Sequence, residues 1–136
     1  MVAPLVLTQH VPAPPARVYR AWTDPDELRA WWWPQWPDTT YAVDLRVGGS
    51  YRIRSETVGV GVHGVFTALD EPDRIVLTWV WEDGDALSQE DTVTVELTGQ
   101  GAGTLVTVTH VVSSPDDAAG YVQGWTDVLA RLGTLT

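Results

Sequence analysis

The sequence contains no cysteine and no lysine. Without cysteine there is no disulfide, no thiolate nucleophile and no cysteine-ligated metal centre. Without lysine there is no side-chain amine to form a Schiff base. The basic side chains are all arginines, and the acidic residues outnumber them enough to give a formal net charge of -10. That balance repels a polyanion, and no arginine cluster offsets it, so no nucleic-acid partner is expected. An anionic membrane surface is disfavoured for the same reason. Long apolar runs are missing as well: nothing approaches the ~18 residues of a membrane span. The opening MVAPLVLTQH has neither the basic start nor the apolar stretch of a signal peptide. The expectation is one cytoplasmic domain over residues 1–136, with no linker, repeat or low-complexity segment. A chain of this length buries about two-thirds of its unfolded surface and needs no covalent staple.

Catalytic signatures are also scarce. There is no G-x-S-x-G elbow, phosphate loop, H-E-x-x-H or dinucleotide fingerprint. His10, His63 and His110 fall on three different predicted strands, with nothing near zinc-site spacing, so no metal and no cofactor are expected. The acidic runs Glu82-Asp83-Gly84-Asp85 and Glu90-Asp91 lack the alternating aspartates of a calcium loop and read as solvated loops.

What the sequence has in excess is tryptophan. RAWWWPQWPD, Arg29 to Asp38, places four of them within six positions and divides them with prolines. Before this stretch, Leu5 to Val11 reads as a strand. A short helix follows from Pro14 to about Trp22, since proline suits a first helical turn. Asp24 can cap a second helix, with Pro25 first inside it and Glu27 reaching back in a capping box. Pro34 limits that helix to Trp32 or Trp33.

From Tyr41 onward the pattern is alternation, broken by glycine or aspartate clusters every ten residues or so. Strands are expected near 41–47, 50–57, 60–69, 74–82, 91–98 and 103–112, an antiparallel meander. A three-residue turn at Val47-Gly48-Gly49 sets Leu45 opposite Tyr51 and Val43 near Ile53, separating apolar from charged side chains. Arg46, Arg52 and Arg54 then fall on the outer face as ordinary surface residues. The chain closes on a helix begun by Ser114 and Pro115, with Tyr121, Val122, Trp125, Val128, Leu129 and Leu132 at helical spacing and a stop at Gly133. Gly120 and Gly124 share one face of it and are costly there. Either the helix approaches the sheet closely, or room is left for something else.

The segments APPARVYRAWTDPDELRAWW, DLRVGGSYRIR, VHGVFTALDEPDRIVLTWVW, GTLVTVTH and GWTDVLARL resemble, in this order, the bacterial family similar to the C-terminal domain of the activator of heat shock protein 90 ATPase. That family lies within the START-like (SRPBCC) superfamily, and the resemblance runs from about Val11 to Leu132. It implies an α+β helix-grip fold: a curved antiparallel seven-stranded sheet around a long C-terminal helix, with two short helices after strand 1. It also implies a hydrophobic ligand cavity. The superfamily includes lipid carriers, polyketide cyclases and hormone receptors, so the fold alone does not name a function. The eukaryotic activators carry a separate N-terminal domain that contacts the chaperone. Nothing here corresponds to it, and a chaperone partner is not expected.

Trp79 and Trp81 share one strand face and are either core or cavity wall. His110 sits between Val108 and Val112 on an apolar face, as a satisfied core histidine or as a polar contact on that wall. Trp31 and Trp32 resemble the pair that closes the second helix in the family, whereas Trp33 and Trp36 are additional. In a proline-bounded loop their full burial is difficult, and they are expected to border the cavity mouth. The candidate ligand-binding residues are Trp33, Trp36, Tyr51, Phe66, Trp79, Trp81, His110, Tyr121 and Trp125. The leading function is a carrier, sensor or sequestering protein for a small apolar, aromatic or polycyclic molecule, acting as monomer or homodimer. A cofactor-independent polyketide-cyclase-like enzyme is the alternative, with His110 paired to Glu96 or Glu82. A protein-interaction module is the third.

Overall fold

The structure, a computed structural model, describes residues 4–135. Strand β1 (Leu5–Val11) leads into helices α1 (Pro15–Thr23) and α2 (Pro25–Trp31), then strands β2 (Thr40–Val43), β3 (Ser50–Ser55), β4 (Val60–Asp70) and β5 (Arg74–Asp83). A two-residue strand β6 (Ala86–Leu87) precedes β7 (Asp91–Gln100) and β8 (Gly103–Val111). A 3-10 turn (Pro115–Asp117) and helix α3 (Ala118–Leu132) follow. The sheet is antiparallel in the order β1-β8-β7-β5-β4-β3-β2, with β6 paired to β5 beside this path. This is the helix-grip arrangement. β6 is the addition to the seven expected strands: Asp83 pairs with Ala86 across a turn in which Gly84 takes φ 59°.

Alternation decides which face is inside. Val93, Val95 and Leu97 of β7 and Val106 and Val108 of β8 are buried in one cluster with Trp125, Val128, Leu129 and Leu132 of α3. Each such side chain contributes about 1.5–3 kcal/mol when buried. The helix proper starts at Ala118, three residues after Pro115, because Pro115–Asp117 form the 3-10 turn and the Ser114 side chain makes no capping bond. At the other short helices, the Asp24 carboxylate caps α2 by accepting from the Asp26 N–H at 2.9 Å. Glu27 does not complete a capping box. It pairs instead with Arg17 at 2.6 Å and ties α2 to α1.

The turn between β2 and β3 differs from the expected one. Val43 lies opposite Tyr51 and Tyr41 opposite Ile53, so the connection is the six residues Asp44 to Gly49. The slip is two residues, which preserves the faces: Tyr51 and Ile53 are buried while Arg52 points outward. Leu45, Val47 and Arg46 leave the sheet, and the two apolar side chains are exposed. The reason is that the loop bonds to β4. The Gly48 N–H donates to the Phe66 carbonyl at 2.7 Å, and the Phe66 N–H donates to the Gly49 carbonyl at 2.9 Å. A Cβ at Gly49 would lie 2.1 Å from the Asp44 carbonyl oxygen, so only glycine closes this loop.

The outer face carries a second departure. Glu82 lies on β5, not in a solvated loop, and its side chain is 3% exposed. Its carboxylate accepts from Arg52 at 3.0 and 2.9 Å and from Arg54 at 2.7 Å, and it contacts the His63 ring nitrogen Nδ1 at 2.6 Å. Gly61 opposite Glu82 leaves space for this cluster. Arg54 is therefore no ordinary surface residue; its side chain is 12% exposed. Burial alone raises the pKa of Glu82, but the hydrogen bonds from Arg52, His63 and Arg54 outweigh it and hold the carboxyl at about 2.

Three variants test the core and the ion cluster. Trp125→Ala should cost ~3–5 kcal/mol, and Arg54→Ala about 1–3 kcal/mol because it leaves a buried carboxylate underpaired; denaturant unfolding measures both. The folded pKa of Glu82 lies below its ordinary 4.5, so its stabilisation is complete above that value and disappears as pH falls towards about 2. Glu82→Gln should be less stable at neutral pH and should flatten the acid limb. An acid limb identical to that of the parent protein would refute the ion cluster.

Candidate functional site

The stretch after α2 is built by its prolines. Pro34 disfavours a helical conformation at residue 33, and Trp33 adopts the left-handed region at φ 56°. A bulky residue held there is strained, and packing must hold it. Trp33 packs against Trp36 at 5.1 Å between ring centroids and meets Trp81 at 5.8 Å, edge to face. The Trp36 N–H closes a turn on the Trp33 carbonyl at 3.0 Å, and Thr39 Oγ1 donates to the Trp36 carbonyl at 2.6 Å. Trp31 is the structural anchor: its indole N–H donates to the Ala21 carbonyl at 3.0 Å, joining α2 to α1.

From here the aromatic contacts run without a gap. Trp22 touches Trp31, Trp32 and Trp125; Trp32 touches Trp33, Trp79 and Trp125; and Trp81 touches Trp33 and Trp79. All eight tryptophans of the chain belong to this one array. Between it and α3 lies a cavity of about 320 Å³, within the range of small-molecule sites. Its wall is Trp32, Trp33, Trp79, Trp81, Trp125, Tyr121 and Val128, with Ser88, Asp116 and Asp117 as its polar members. Gly120 and Gly124 complete it from α3, and a Cβ added to either would meet nothing within 4 Å. Both glycines are exposed, so they border the open side of the cavity and do not serve a close helix–sheet approach. A second cavity of about 30 Å³ lies beyond Trp32, Trp79 and Trp125, bordered by Tyr51 and Phe66. The indole N–H groups of Trp22, Trp32 and Trp79 are buried without a protein acceptor; Trp22 borders the small cavity, and Trp32 and Trp79 border both.

His110 is fully buried behind this wall. The Trp125 indole N–H donates to its Nδ1 at 3.0 Å, so Nδ1 is unprotonated and Nε2–H donates to the Asp91 carboxylate at 2.8 Å. Asp91 also accepts from the Ser113 N–H at 2.9 Å. Burial lowers the pKa of His110, against the opposing pull of Asp91. Tyr121 covers the imidazole at 4.6 Å between ring centroids. His110 thus orients Trp125, and both of its nitrogens are occupied.

Of the residues expected from sequence, Trp33, Trp79, Trp81, Tyr121 and Trp125 meet in the large cavity, while Tyr51 and Phe66 border only the small one. Trp36 backs Trp33 without joining the wall, and Trp33 is buried at 7% exposure where a solvated rim was expected. Glu96 faces solvent on β7 and Glu82 lies on the opposite sheet face, so neither pairs with His110. The partner is Asp91, expected in a loop. Its place two residues before Val93, with Val95 and Leu97 following, is the alternation signal that puts it inside. Trp32, Ser88, Asp116 and Asp117 were not expected at the site, and of the two readings left open for Gly120 and Gly124 the close helix–sheet approach is the one not observed. Of the histidines, His10 is exposed on β1 and His63 lies with Glu82 on the outer face, so the three do not converge.

Residues 12–136 match the family model described as activator of Hsp90 ATPase homolog 1-like protein. Similar solved structures include the Mll3558 protein of Rhizobium loti, with 26% identity, TM-score 0.81, and coverage of 98% of this chain and 96% of that one. CalU16 of Micromonospora echinospora has 25% identity and TM-score 0.77, over 96% of this chain and 73% of that one. PFC0360w of Plasmodium falciparum, an HSP90 activator, shares the fold at 22% identity and TM-score 0.73, over 95% and 92% of the two chains. No curated protein matches the chain.

The histidine generates a pH prediction of its own. Unfolded histidine titrates near ~6.5, and the folded pKa of His110 is lower. The unfolded chain therefore binds the extra proton first, and stability should fall as pH drops below that unfolded value. Denaturant unfolding at pH 7.5 and 5 should show this loss in the parent protein and a smaller one in His110→Gln. Equal losses in both would mean His110 does not stay neutral in the fold.

Proposed function

The chain belongs to the activator of Hsp90 ATPase homolog 1-like family, and from that premise we propose that it binds one small, largely apolar, aromatic molecule between α3 and the sheet. The family's fold is a ligand-binding one. The observation that carries the reading is the indole-walled cavity of about 320 Å³ with Gly120 and Gly124 opening onto it. Each glycine costs a helix interior about 0.8–1.0 kcal/mol relative to alanine. Neither is required by neighbouring backbone, since nothing lies within 4 Å of an added Cβ. Both glycines are exposed, so they lie at the open side of the cavity, where a guest would enter. Flat indole faces suit a planar guest, for which offset or edge contacts contribute about 0.5–1.5 kcal/mol each beyond area.

The role is that of a carrier, sensor or sequestering protein. The cyclase-like alternative loses its acid–base candidate, because His110 is absent from the cavity wall and both its nitrogens are engaged. No histidine lines the cavity, and its titratable groups are Asp116, Asp117 and Tyr121.

Binding of a polycyclic hydrophobic probe, followed by quenching of tryptophan emission, tests the reading. Gly124→Ala should stabilise the helix and leave binding intact. Gly124→Leu should fill the cavity and abolish binding without unfolding the protein. Parent protein that binds no aromatic probe, or a leucine variant that binds as well as the parent, would sink the proposal.

A further inference from the structure

The charges around the cavity are all of one sign. None of the arginines lines it. Arg17, Arg46, Arg52, Arg54 and Arg74 are each engaged with a carboxylate elsewhere. The two carboxylates among the lining residues are Asp116 and Asp117, both exposed at the cavity's rim, and among the described residues neither makes a salt bridge or a side-chain hydrogen bond. Carboxylates before a helix normally serve its dipole and capping. Here the Asp117 side chain makes no capping bond to α3. It borders the cavity instead, and its charge reaches Tyr121. Trp33 and Tyr121 both stand nearly perpendicular to Trp81, at 90° and 82°, with centroids 5.8 and 6.3 Å away. The rings so disposed form an aromatic corner, and aromatic faces carry negative potential that attracts cations. Burial foremost raises the pKa of Tyr121, and the charges of Asp91 and Asp117 add to it, so their negative field extends to the cavity wall. The net charge of -10 extends the same field outward. A fatty acid or other organic anion meets no compensating cation on this wall.

Resting on the reading of the cavity as a ligand site, we propose that its ligand is an organic cation: an aromatic molecule bearing an amine or quaternary ammonium group. The ring system lies against the indoles. The cationic group is stabilised by the aromatic wall of the cavity and by Asp116 and Asp117 at its exposed rim. No bond is made or broken, and selectivity comes from charge as well as shape.

Three probes of matched size separate the possibilities: benzyltrimethylammonium, its neutral carbon isostere neopentylbenzene, and the anion phenylacetate. Calorimetry or tryptophan quenching at low ionic strength reads their affinities. The ammonium should bind about tenfold more tightly than the neutral isostere, and the anion most weakly. The preference should shrink severalfold in Asp116→Asn/Asp117→Asn and in high salt, where rim charges are screened. Trp81→Leu should lower ammonium affinity more than isostere affinity. If the isostere binds as tightly as the ammonium, the cation proposal falls and the apolar site stands. If a polycyclic hydrocarbon binds while the ammonium does not, the cation proposal falls in the same way. If no probe of any class binds, both readings fall.

Discussion

Eight indoles drawn from α1, α2, the loop after α2, β5 and α3 touch one another in one unbroken series, and the placement of the other elements follows from keeping them together. Trp22 and Trp31 hold the two short helices to each other, with the Trp31 N–H on Ala21 fixing the angle. Trp32 and Trp125 then join those helices to α3, and Trp79 and Trp81 join both to the sheet. Rings of this size do not interdigitate like aliphatic side chains. They meet edge to face at centroid separations of about 5–6 Å, and several of the same rings bound the cavity. The cavity is thus a product of the same contacts that hold the fold.

Much of the architecture was legible because it depends on period and punctuation. The strand alternation, the proline and aspartate signals around residues 24–25 and the helical spacing from Tyr121 to Leu132 each state a local preference that the tertiary structure keeps. The family motifs, in their order, pointed to the helix-grip. The departures arose where a distant partner decides. The β2–β3 turn lengthened because Gly48 and Gly49 bond to Phe66 of β4, which no local pattern encodes. Glu82 read as a loop acid because its arginines lie 28 and 30 positions upstream on another strand.

The site was legible in its materials and less so in its allotment. Trp79, Trp81, Tyr121 and Trp125 share faces that periodicity predicts. Trp32 and Trp33 moved from anchor and rim to wall, since a left-handed φ at residue 33 redirects the chain after α2 and no propensity anticipates that in a tryptophan. The glycine pair on α3 posed the right question, which sequence alone could not answer, because a missing side chain does not say whether it makes room for backbone or for a ligand. His110 shows the converse. A histidine on an apolar face invites a catalytic reading, and only the positions of Asp91 and Trp125 disclose that both its nitrogens are occupied.

The unbroken indole series has an optical consequence. Neighbouring indoles a few ångströms apart exchange excitation far faster than they emit, so a photon absorbed anywhere in the series migrates to whichever ring lies lowest in energy. The protein then fluoresces as one chromophore rather than eight. Its emission colour reports the polarity around a single acceptor indole, and its near-ultraviolet dichroism carries the signature of coupled transitions rather than a sum of independent ones. The series is also redundant: without the Trp33–Trp81 corner, Trp33 stays joined to Trp81 through Trp32 and Trp79, and only Trp36 depends on a single contact, the one with Trp33.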